Sequence, residues 1–162
     1  MIDPVLQAAA ARVLAVLVAR GETVATAESC TGGLVAAALT AIPGSSSVVE
    51  RGFVTYSNAA KTDLLGVPPA LIARHGAVSA EVARMMAEGA LARAPVTRAV
   101  AITGIAGPAS DGTVKPVGLV HFALARRGVA THDIFAHFDG DRDQIRLQAA
   151  LAALDLLASG GP

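Results

Sequence analysis

Thr23-Val-Ala-Thr-Ala-Glu-Ser-Cys-Thr-Gly-Gly33 is the stretch that decides the fold, because an apolar run passes into a small polar turn and then into a helix. Residues 23–27 predict a strand, and the Ala/Leu-rich residues 34–42 predict a helix. In such a unit the unpaired N–H groups at the helix start converge, and with the helix dipole they favour an anion or a developing oxyanion. Two hydroxyls and a thiol lie in the same turn, so it is a candidate site for a nucleophile and its electrostatic partner. The alternative is that the glycines only allow close helix–strand packing, while Ser29 or Thr31 caps the helix.

Alternating helices and strands are predicted along the whole chain of 162 residues. The predicted helices lie at residues 4–20, 34–42, 59–65, 68–75, 81–94 and 141–158, and the predicted strands at 23–27, 48–56, 98–105, 117–125 and 129–138. Asn58 is the expected cap of the third helix, and Gly52 is expected to break the second strand. The order predicts one α/β domain over residues 1–162, with a core at about 22–158 preceded by the first helix. Helices would cover both faces of a mixed sheet, and one antiparallel hairpin would lie towards an edge.

The composition favours a cytoplasmic domain without nucleic-acid or membrane partners. Thirteen basic and thirteen acidic side chains cancel, so no global field attracts DNA or a membrane surface. The N-terminal apolar run is broken by Arg12 and lacks a basic leader, so we do not expect it to be a signal peptide, and no apolar stretch is long enough to span a bilayer. A single cysteine, Cys30, excludes an internal disulfide and fits a reducing compartment. Because 53% hydrophobic residues is a high share for a monomer of this size, we expect a homo-oligomer.

A second glycine-rich turn, Thr103-Gly-Ile-Ala-Gly-Pro108, follows the third predicted strand. Ligands of open α/β sheets bind outside the carboxyl ends of strands, so the two turns predict a phosphate or carbonyl site between them. Neither turn matches a P-loop, a dinucleotide fingerprint or a G-x-S-x-G elbow. The four histidines lack metal-ligand spacing and there is only one cysteine, so no metal is expected.

Three cations complete the set of candidate site residues. Arg142 and Arg146 share one face at the start of the last helix, where the helix dipole disfavours cations unless an anion joins them. Pairing with a neighbouring aspartate is an equally good explanation for either arginine. Lys61 lies near the start of the third helix, where a positive field would lower its pKa towards that of a base working near neutral pH. A solvated lysine, paired with Asp63, is the alternative interpretation.

Six blocks in this order resemble the CinA C-terminal domain family, the nicotinamide-nucleotide amidohydrolases, over nearly the whole chain. The blocks are Glu28-Ser-Cys-Thr-Gly-Gly33, Tyr56-Ser-Asn-Ala-Ala-Lys61, Leu64-Leu-Gly-Val67, Thr103-Gly-Ile-Ala-Gly-Pro108, Lys115-Pro-Val-Gly118 and Gly140-Asp-Arg142. The resemblance implies a three-layer α/β/α sandwich with a mixed, mainly parallel sheet, in the stand-alone form of the family. It implies hydrolysis of nicotinamide mononucleotide to nicotinate mononucleotide and ammonia in pyridine-nucleotide recycling, with no cofactor. The loop at residues 109–114 departs from the family by lacking extra glycines.

The candidate residues fit that chemistry, because an amide needs a nucleophile, a proton shuttle and an oxyanion hole. We expect Ser29 to be the nucleophile, Lys61 its base, and Tyr56 a group that relays or orients the proton. The expected substrate-binding groups are the turn residues Cys30, Thr31, Gly32 and Gly33, together with Thr103, Gly104, Arg142 and Arg146. Three alternatives stay open at this point: Cys30 as the nucleophile, a non-catalytic nucleotide-binding module, and hydrolysis of another carboxamide.

Overall fold

The computed structural model describes residues 1–159 as a five-stranded sheet with helices on both faces. The strands are β1 (Val24–Glu28), β2 (Val49–Val54), β3 (Arg98–Gly104), β4 (Leu119–Arg126) and β5 (Val129–His137). The helices are α1 (Pro4–Arg20), α2 (Leu34–Thr40), α3 (Asn58–Leu65), α4 (Pro69–His75), α5 (Ala80–Arg93) and α6 (Arg142–Ser159), with a short 3-10 helix at Ser45–Ser47. The predicted domain reaches residue 162, and its last three residues lie outside the described part.

The strand order is β2-β1-β3-β4-β5. β1 pairs in parallel with β2 and β3, whereas β4 is antiparallel to both β3 and β5, so four of the five strands run in one direction. The mixed, mainly parallel sheet, the helices on both faces and the β4–β5 hairpin at an edge are confirmed. The carboxyl ends of β1 and β3 are neighbours, which brings the two glycine turns to the same edge of the sheet.

Two local predictions are wrong. Ser57, not Asn58, caps α3: its hydroxyl accepts a hydrogen bond from the Ala60 N–H at 3.0 Å, and Asn58 is already helical. β2 continues through Gly52 without a break. The irregularity lies before Gly52: Val24 pairs with Val49 but the next residue, Ala25, pairs with Arg51, so one residue of β2 is skipped. A glycine is needed at position 52 because the backbone there lies close to the Thr26 side chain: a Cβ would lie 2.8 Å from the Thr26 hydroxyl.

The two faces of the sheet differ in side-chain size. Large apolar residues point towards α1 and α6: Val24, Val100, Ile102, Val120, Phe122 and Leu124. On the opposite face, the residues of β1, β3 and β4 that are buried under α5 are alanines: Ala25, Ala27, Ala99, Ala101, Ala123 and Ala125. Small side chains let a helix approach a sheet closely, and tight packing of this kind leaves little room for adjustment.

One glycine of α5 fixes the position of α3. A Cβ on Gly89 would lie only 2.0 Å from the Leu65 carbonyl oxygen at the end of α3, so no other residue fits there without moving a helix. α3 is therefore held tightly against α5. One turn before Leu65, Lys61 is buried together with it on the same face of α3.

Candidate active site

The start of α2 is already occupied by a side chain of the protein. The buried Glu28 carboxylate accepts the Val35 N–H at 2.9 Å and the Ala36 N–H at 3.0 Å. The expectation that this helix start would hold a ligand anion is therefore wrong, because an internal carboxylate satisfies the same donors. In the preceding turn, the N–H groups of Cys30, Thr31 and Gly33 have no backbone acceptor within residues 1–159. The N–H groups of Cys30 and Thr31 also lie within reach of the Cys30 sulfur, and the three turn amides are the candidate oxyanion donors.

A serine–lysine pair lies at the carboxyl end of β1. Lys61 Nζ donates to Ser29 Oγ at 3.0 Å. Both residues are buried, with 1% of the surface of Lys61 and 7% of the surface of Ser29 accessible to solvent. The same ammonium donates to the Thr55 carbonyl at 2.9 Å and the Tyr56 carbonyl at 3.3 Å. Among the described residues, no carboxylate lies within ion-pair distance of Lys61, so the alternative pairing with Asp63 is not formed. Lys61 is thus a buried amine whose neighbours are neutral oxygens.

Burial lowers the pKa of Lys61 to about 8, with the nearby Cys30 thiol acting weakly in the opposite direction. The pKa of Lys61 was expected to be lowered by the positive field at a helix start. The cause in the structure is desolvation, because a charged ammonium loses its water inside the protein. An amine with a pKa of about 8 is partly neutral at physiological pH and can accept the proton of a neighbouring hydroxyl.

The neighbouring thiol has the opposite property. Burial raises the pKa of Cys30 to about 11, despite backbone hydrogen bonds from Cys30 and Thr31 and the nearby Lys61, which lower it. Near neutral pH the group is therefore a thiol, and a thiol is a weak nucleophile compared with a thiolate. Of the two candidate nucleophiles, only Ser29 contacts the base.

The pair opens into a cavity of about 210 Å³ between the carboxyl ends of β1 and β3. Its lining residues are Ser29, Cys30, Tyr56, Asn58, Lys61, Ala77, Val78, Thr103, Gly104, Ala106, Asp111 and Arg142. The two glycine turns and the start of α3 therefore meet at one cavity, as the sequence analysis expected. A larger groove of about 450 Å³ lies between α3 and α4, but its lining has no basic or nucleophilic amine, thiol or guanidinium group.

Tyr56 is at the cavity but does not contact the serine. Its carbonyl accepts from Lys61, and its hydroxyl accepts from Arg142 Nη2 at 2.9 Å. Arg142 Nη1 also donates to the Gly107 carbonyl, so the tyrosine and the second glycine turn hold the guanidinium at the cavity wall. Tyr56 can therefore orient two side chains: its hydroxyl orients Arg142, and its backbone carbonyl orients Lys61.

Arg146 lies behind the first turn and is not part of the cavity lining. Its Nε donates to the Cys30 carbonyl at 3.2 Å and its Nη2 to the Thr31 carbonyl at 3.1 Å. An exposed Asp143 lies 3.9 Å from its Nη1, which is a weak contact. The two arginines share a helix face, as expected, but they serve different parts of the site: Arg142 faces the cavity, whereas Arg146 fixes the turn.

The remaining expected residues support the walls. Thr103 Oγ1 donates to the Ala77 carbonyl at 2.8 Å, and Gly104 forms part of the lining. Gly32 and Gly33 have positive φ angles of 61° and 96°, which let the turn lead into α2. Thr31 is fully buried outside the lining.

Sequence reasoning did not assign Asn58, Ala77, Val78, Ala106 or Asp111 to the site. Asn58 lies within the block that contains Tyr56 and Lys61, and Ala106 lies within the second glycine turn; these two positions were the available signals. Within residues 1–159, no three His, Cys, Asp or Glu side chains are grouped as metal ligands, and no helix is both long and apolar enough to cross a membrane.

Comparisons with known proteins agree with this architecture. The family model described as the CinA C-terminal domain matches residues 6–160. A CinA-like protein of Anaeromyxobacter dehalogenans (strain 2CP-1 / ATCC BAA-258) is 54% identical over 145 residues, which cover 90% of this chain and 35% of that protein. The chain thus spans about a third of the length of the curated relatives it matches.

Solved structures match over almost the entire chain. The competence/damage inducible protein CihA from Agrobacterium tumefaciens superimposes with a TM-score of 0.92 at 46% identity, covering 98% of this chain and 97% of the other. The competence damage-inducible protein A (ComA) from Klebsiella pneumoniae gives 0.92 at 38% identity, covering 95% of each. The match to the family model includes both glycine turns, Ser29 and Lys61. The chain therefore belongs to the CinA C-terminal domain family.

Proposed function

We propose that this protein hydrolyses the carboxamide of nicotinamide mononucleotide, giving nicotinate mononucleotide and ammonia, with Ser29 as nucleophile and Lys61 as base. The observation that supports the proposal is the 3.0 Å contact between Ser29 Oγ and the buried Lys61 Nζ. A hydroxyl beside an amine of lowered pKa is an activated nucleophile. The reaction would serve pyridine-nucleotide recycling in the cytoplasm and uses neither a metal nor a cofactor.

The proton passes through Lys61 in both halves of the reaction. Neutral Lys61 takes the proton of Ser29 as its oxygen attacks the amide carbon, and the turn amides hold the resulting oxyanion. Protonated Lys61 then gives that proton to the departing nitrogen, so that ammonia leaves and an acyl-serine ester forms. A water molecule, deprotonated by Lys61, attacks the ester; the carboxylic acid is released and Ser29 regains its proton.

Arg142 supports a phosphorylated substrate. It lines the cavity, and its guanidinium is held by the Tyr56 hydroxyl and the Gly107 carbonyl. A guanidinium matches the geometry of a phosphate group. A cavity of 210 Å³ is smaller than the roughly 300–1,000 Å³ typical of ligand pockets, so it would enclose the ring end of a mononucleotide. The phosphate would then meet Arg142 near the mouth, where its binding energy can be used at the reacting amide.

The test is ammonia release from nicotinamide mononucleotide by the wild type and by Ser29→Ala and Cys30→Ser variants. We expect turnover in the wild type, a loss of at least about a thousandfold in Ser29→Ala, and at most a modest change in Cys30→Ser. Activity that survives Ser29→Ala but is lost in Cys30→Ser would transfer the nucleophile to the thiol. Nucleotide binding without ammonia release would identify a binding module, and turnover of other amides alone would identify another amidase.

A further inference from the structure

Part of the cavity wall is an irregular segment that runs from His75, the last residue of α4, to Val78, shortly before α5. Ala77 and Val78 of this segment line the cavity. Each of its four backbone carbonyls is paired with a side chain: Ser79 Oγ donates to Gly76 at 2.9 Å, and Thr103 Oγ1 donates to Ala77 at 2.8 Å. The carbonyls of His75 and Val78 both accept from Lys115. Side-chain donors therefore hold the wall in place, and one ammonium supplies two of the four.

Lys115 comes from a loop, a second segment that contributes to the cavity lining. This loop connects β3 to β4 and carries the lining residues Ala106 and Asp111. Its Nζ lies 2.7 Å from the His75 oxygen, and a Cβ on Gly76 would lie 3.0 Å from that same nitrogen. The ammonium thus sits inside the bend of residues 75–78, against the carboxyl end of α4, where the helix dipole favours a cation.

The choice of lysine at this position also fits a local requirement. The chain contains eleven arginines but only two lysines, and both lysines place Nζ on backbone carbonyls at the cavity. An ammonium directs three donors from a single atom, whereas a guanidinium is a wide planar fork that does not fit inside a bend. Among residues 1–159, no carboxylate lies within ion-pair distance of Lys115, so its contacts are those two carbonyls and not a salt bridge.

We propose that Lys115 is a positioning residue that ties the wall at residues 75–78 to the loop between β3 and β4, and so sets the width of the substrate cavity. Ser29 follows β1 directly and Lys61 lies on α3, so the pair is held by other elements and does not depend on this tie. Loss of Lys115 should therefore weaken substrate binding while the ionisation that governs catalysis stays the same. The effect on turnover rests on the proposed function, whereas the effect on the wall does not.

The first experiment compares Lys115→Met with the wild type and with Arg84→Met. Arg84 is a matched control, because it is a nearby cation on α5 that pairs with Asp133 at 3.1 Å, outside the cavity. We expect Lys115→Met to raise KM by about tenfold with kcat changed less than about threefold, and the pH midpoint of kcat to stay in place. Arg84→Met should match the wild type in all three. An unchanged KM in Lys115→Met, or an equal change in Arg84→Met, would overturn the proposal.

A rescue experiment separates positioning from general structural damage. Lys115→Cys can be aminoethylated to restore an amine at nearly the same distance, and the buried Cys30, with its raised pKa, should react slowly. The treated variant should recover most of the wild-type KM, and treated wild type serves as the control for modification of Cys30. Failure of the restored amine to lower KM would contradict the positioning role. Lys115→Arg, expected to give an intermediate KM, replaces Lys115→Met if that variant does not fold.

Hydrogen exchange keeps the test independent of the reaction. Backbone amides at residues 76–79 should exchange at least about tenfold faster in Lys115→Met than in the wild type or Arg84→Met. Should the wild type release no ammonia, the proposed function fails, and the tie is then judged by this exchange and by calorimetric binding of nicotinamide mononucleotide. Unchanged exchange would overturn the proposal, as would faster exchange with unchanged KM and affinity.

Discussion

At the scale of single residues, the site depends on one amine being buried without a counter-ion. Lys61 is almost fully buried, and among residues 1–159 its amine donates to one hydroxyl and two carbonyls and has no carboxylate partner. Its membership of a conspicuous block was visible in the sequence, but its burial was not. Burial results from the packing of α3 on α5 through Gly89 and from contacts between residues 32 positions apart. The direction of the pKa shift was therefore predicted, but its cause was wrong.

The lowered pKa of Lys61 predicts how activity depends on pH. Because the base must be neutral, kcat/KM for ammonia release should rise with pH, reach half its maximum near pH 8 and level off above it. The titration of Lys61 can be followed by NMR with lysine labelled at Cε, because a chain with two lysines gives few signals. The signal that disappears in Lys61→Met belongs to Lys61, and its chemical shift should titrate with the same midpoint. A midpoint above 10 for this signal would remove Lys61 as the base.

The same shift predicts a pH dependence of stability. The pKa of Lys61 is about 8 in the folded protein and 10.5 without the protein environment, so between these values the unfolded chain binds the extra proton. The free energy of unfolding should therefore rise with pH from 8 to 10.5, by up to roughly 3 kcal/mol relative to Lys61→Met. Urea unfolding of both proteins at several pH values measures the difference.

Groups that do not interact with Lys61 cancel in this comparison. Cys30, whose pKa is raised by burial and lowered by the nearby Lys61, gives a slope of opposite sign above pH 9, so above that pH the difference between the two proteins also contains a change in Cys30. Parallel stability curves for the wild type and Lys61→Met would mean that Lys61 titrates alike in the folded and unfolded chains.

At the scale of elements, most boundaries were predictable because their signals are local. Asp3 accepts the Val5 N–H at 2.8 Å at the start of α1, and Gly21 ends that helix with a φ of 64°. Ser57 and Asn58 can each cap a helix, so the wrong choice between them moved the start of α3 by one residue. The use of the α2 start by Glu28 was not predictable, because a glutamate before a turn gives no sign that its side chain turns back into the protein.

The first turn of α6 allows a matched comparison of two arginines. Arg142→Met removes a guanidinium from the cavity lining and should raise KM for nicotinamide mononucleotide by at least about tenfold with a smaller effect on kcat. Arg146→Met removes the donors to the Cys30 and Thr31 carbonyls and should loosen the turn amides, lowering kcat by about ten- to a hundredfold. Steady-state kinetics of both variants provide the measurement. If Arg146→Met changes KM alone, Arg146 binds the nucleotide, as the sequence analysis expected.

At the scale of the whole molecule, the sheet joins the two halves of the site. Ser29 follows the end of β1, Thr103 and Gly104 end β3, and the parallel pairing of the two strands places both turns at one edge. The order of elements predicted this juxtaposition, because the carboxyl ends of parallel strands lie on the same side. The cavity walls at residues 77–78 and at Asp111 were not predictable, since they are parts of connecting segments whose paths depend on side-chain contacts such as those of Lys115.

The edges of the sheet bear on the expected homo-oligomer, which stays a prediction. The β2 edge carries the charged pair Glu50–Arg51, and charges of this kind discourage pairing with another strand. The β5 edge instead exposes Val129, Ile134 and Phe135, the last with 71% of its surface accessible. Two copies of β5 can pair antiparallel about a two-fold axis, which joins both sheets and covers these side chains.

We therefore expect light scattering to give a mass of about twice the 16.2 kDa of one chain. Phe135→Glu should weaken the association by at least about thirtyfold, because a charge would be buried near the centre of the joined sheets. Val114→Glu is the control, since Val114 is fully exposed and lies on the loop between β3 and β4, outside β5. A monomeric wild type would contradict the expected oligomer, and a dimer unaffected by Phe135→Glu would place the interface on another surface.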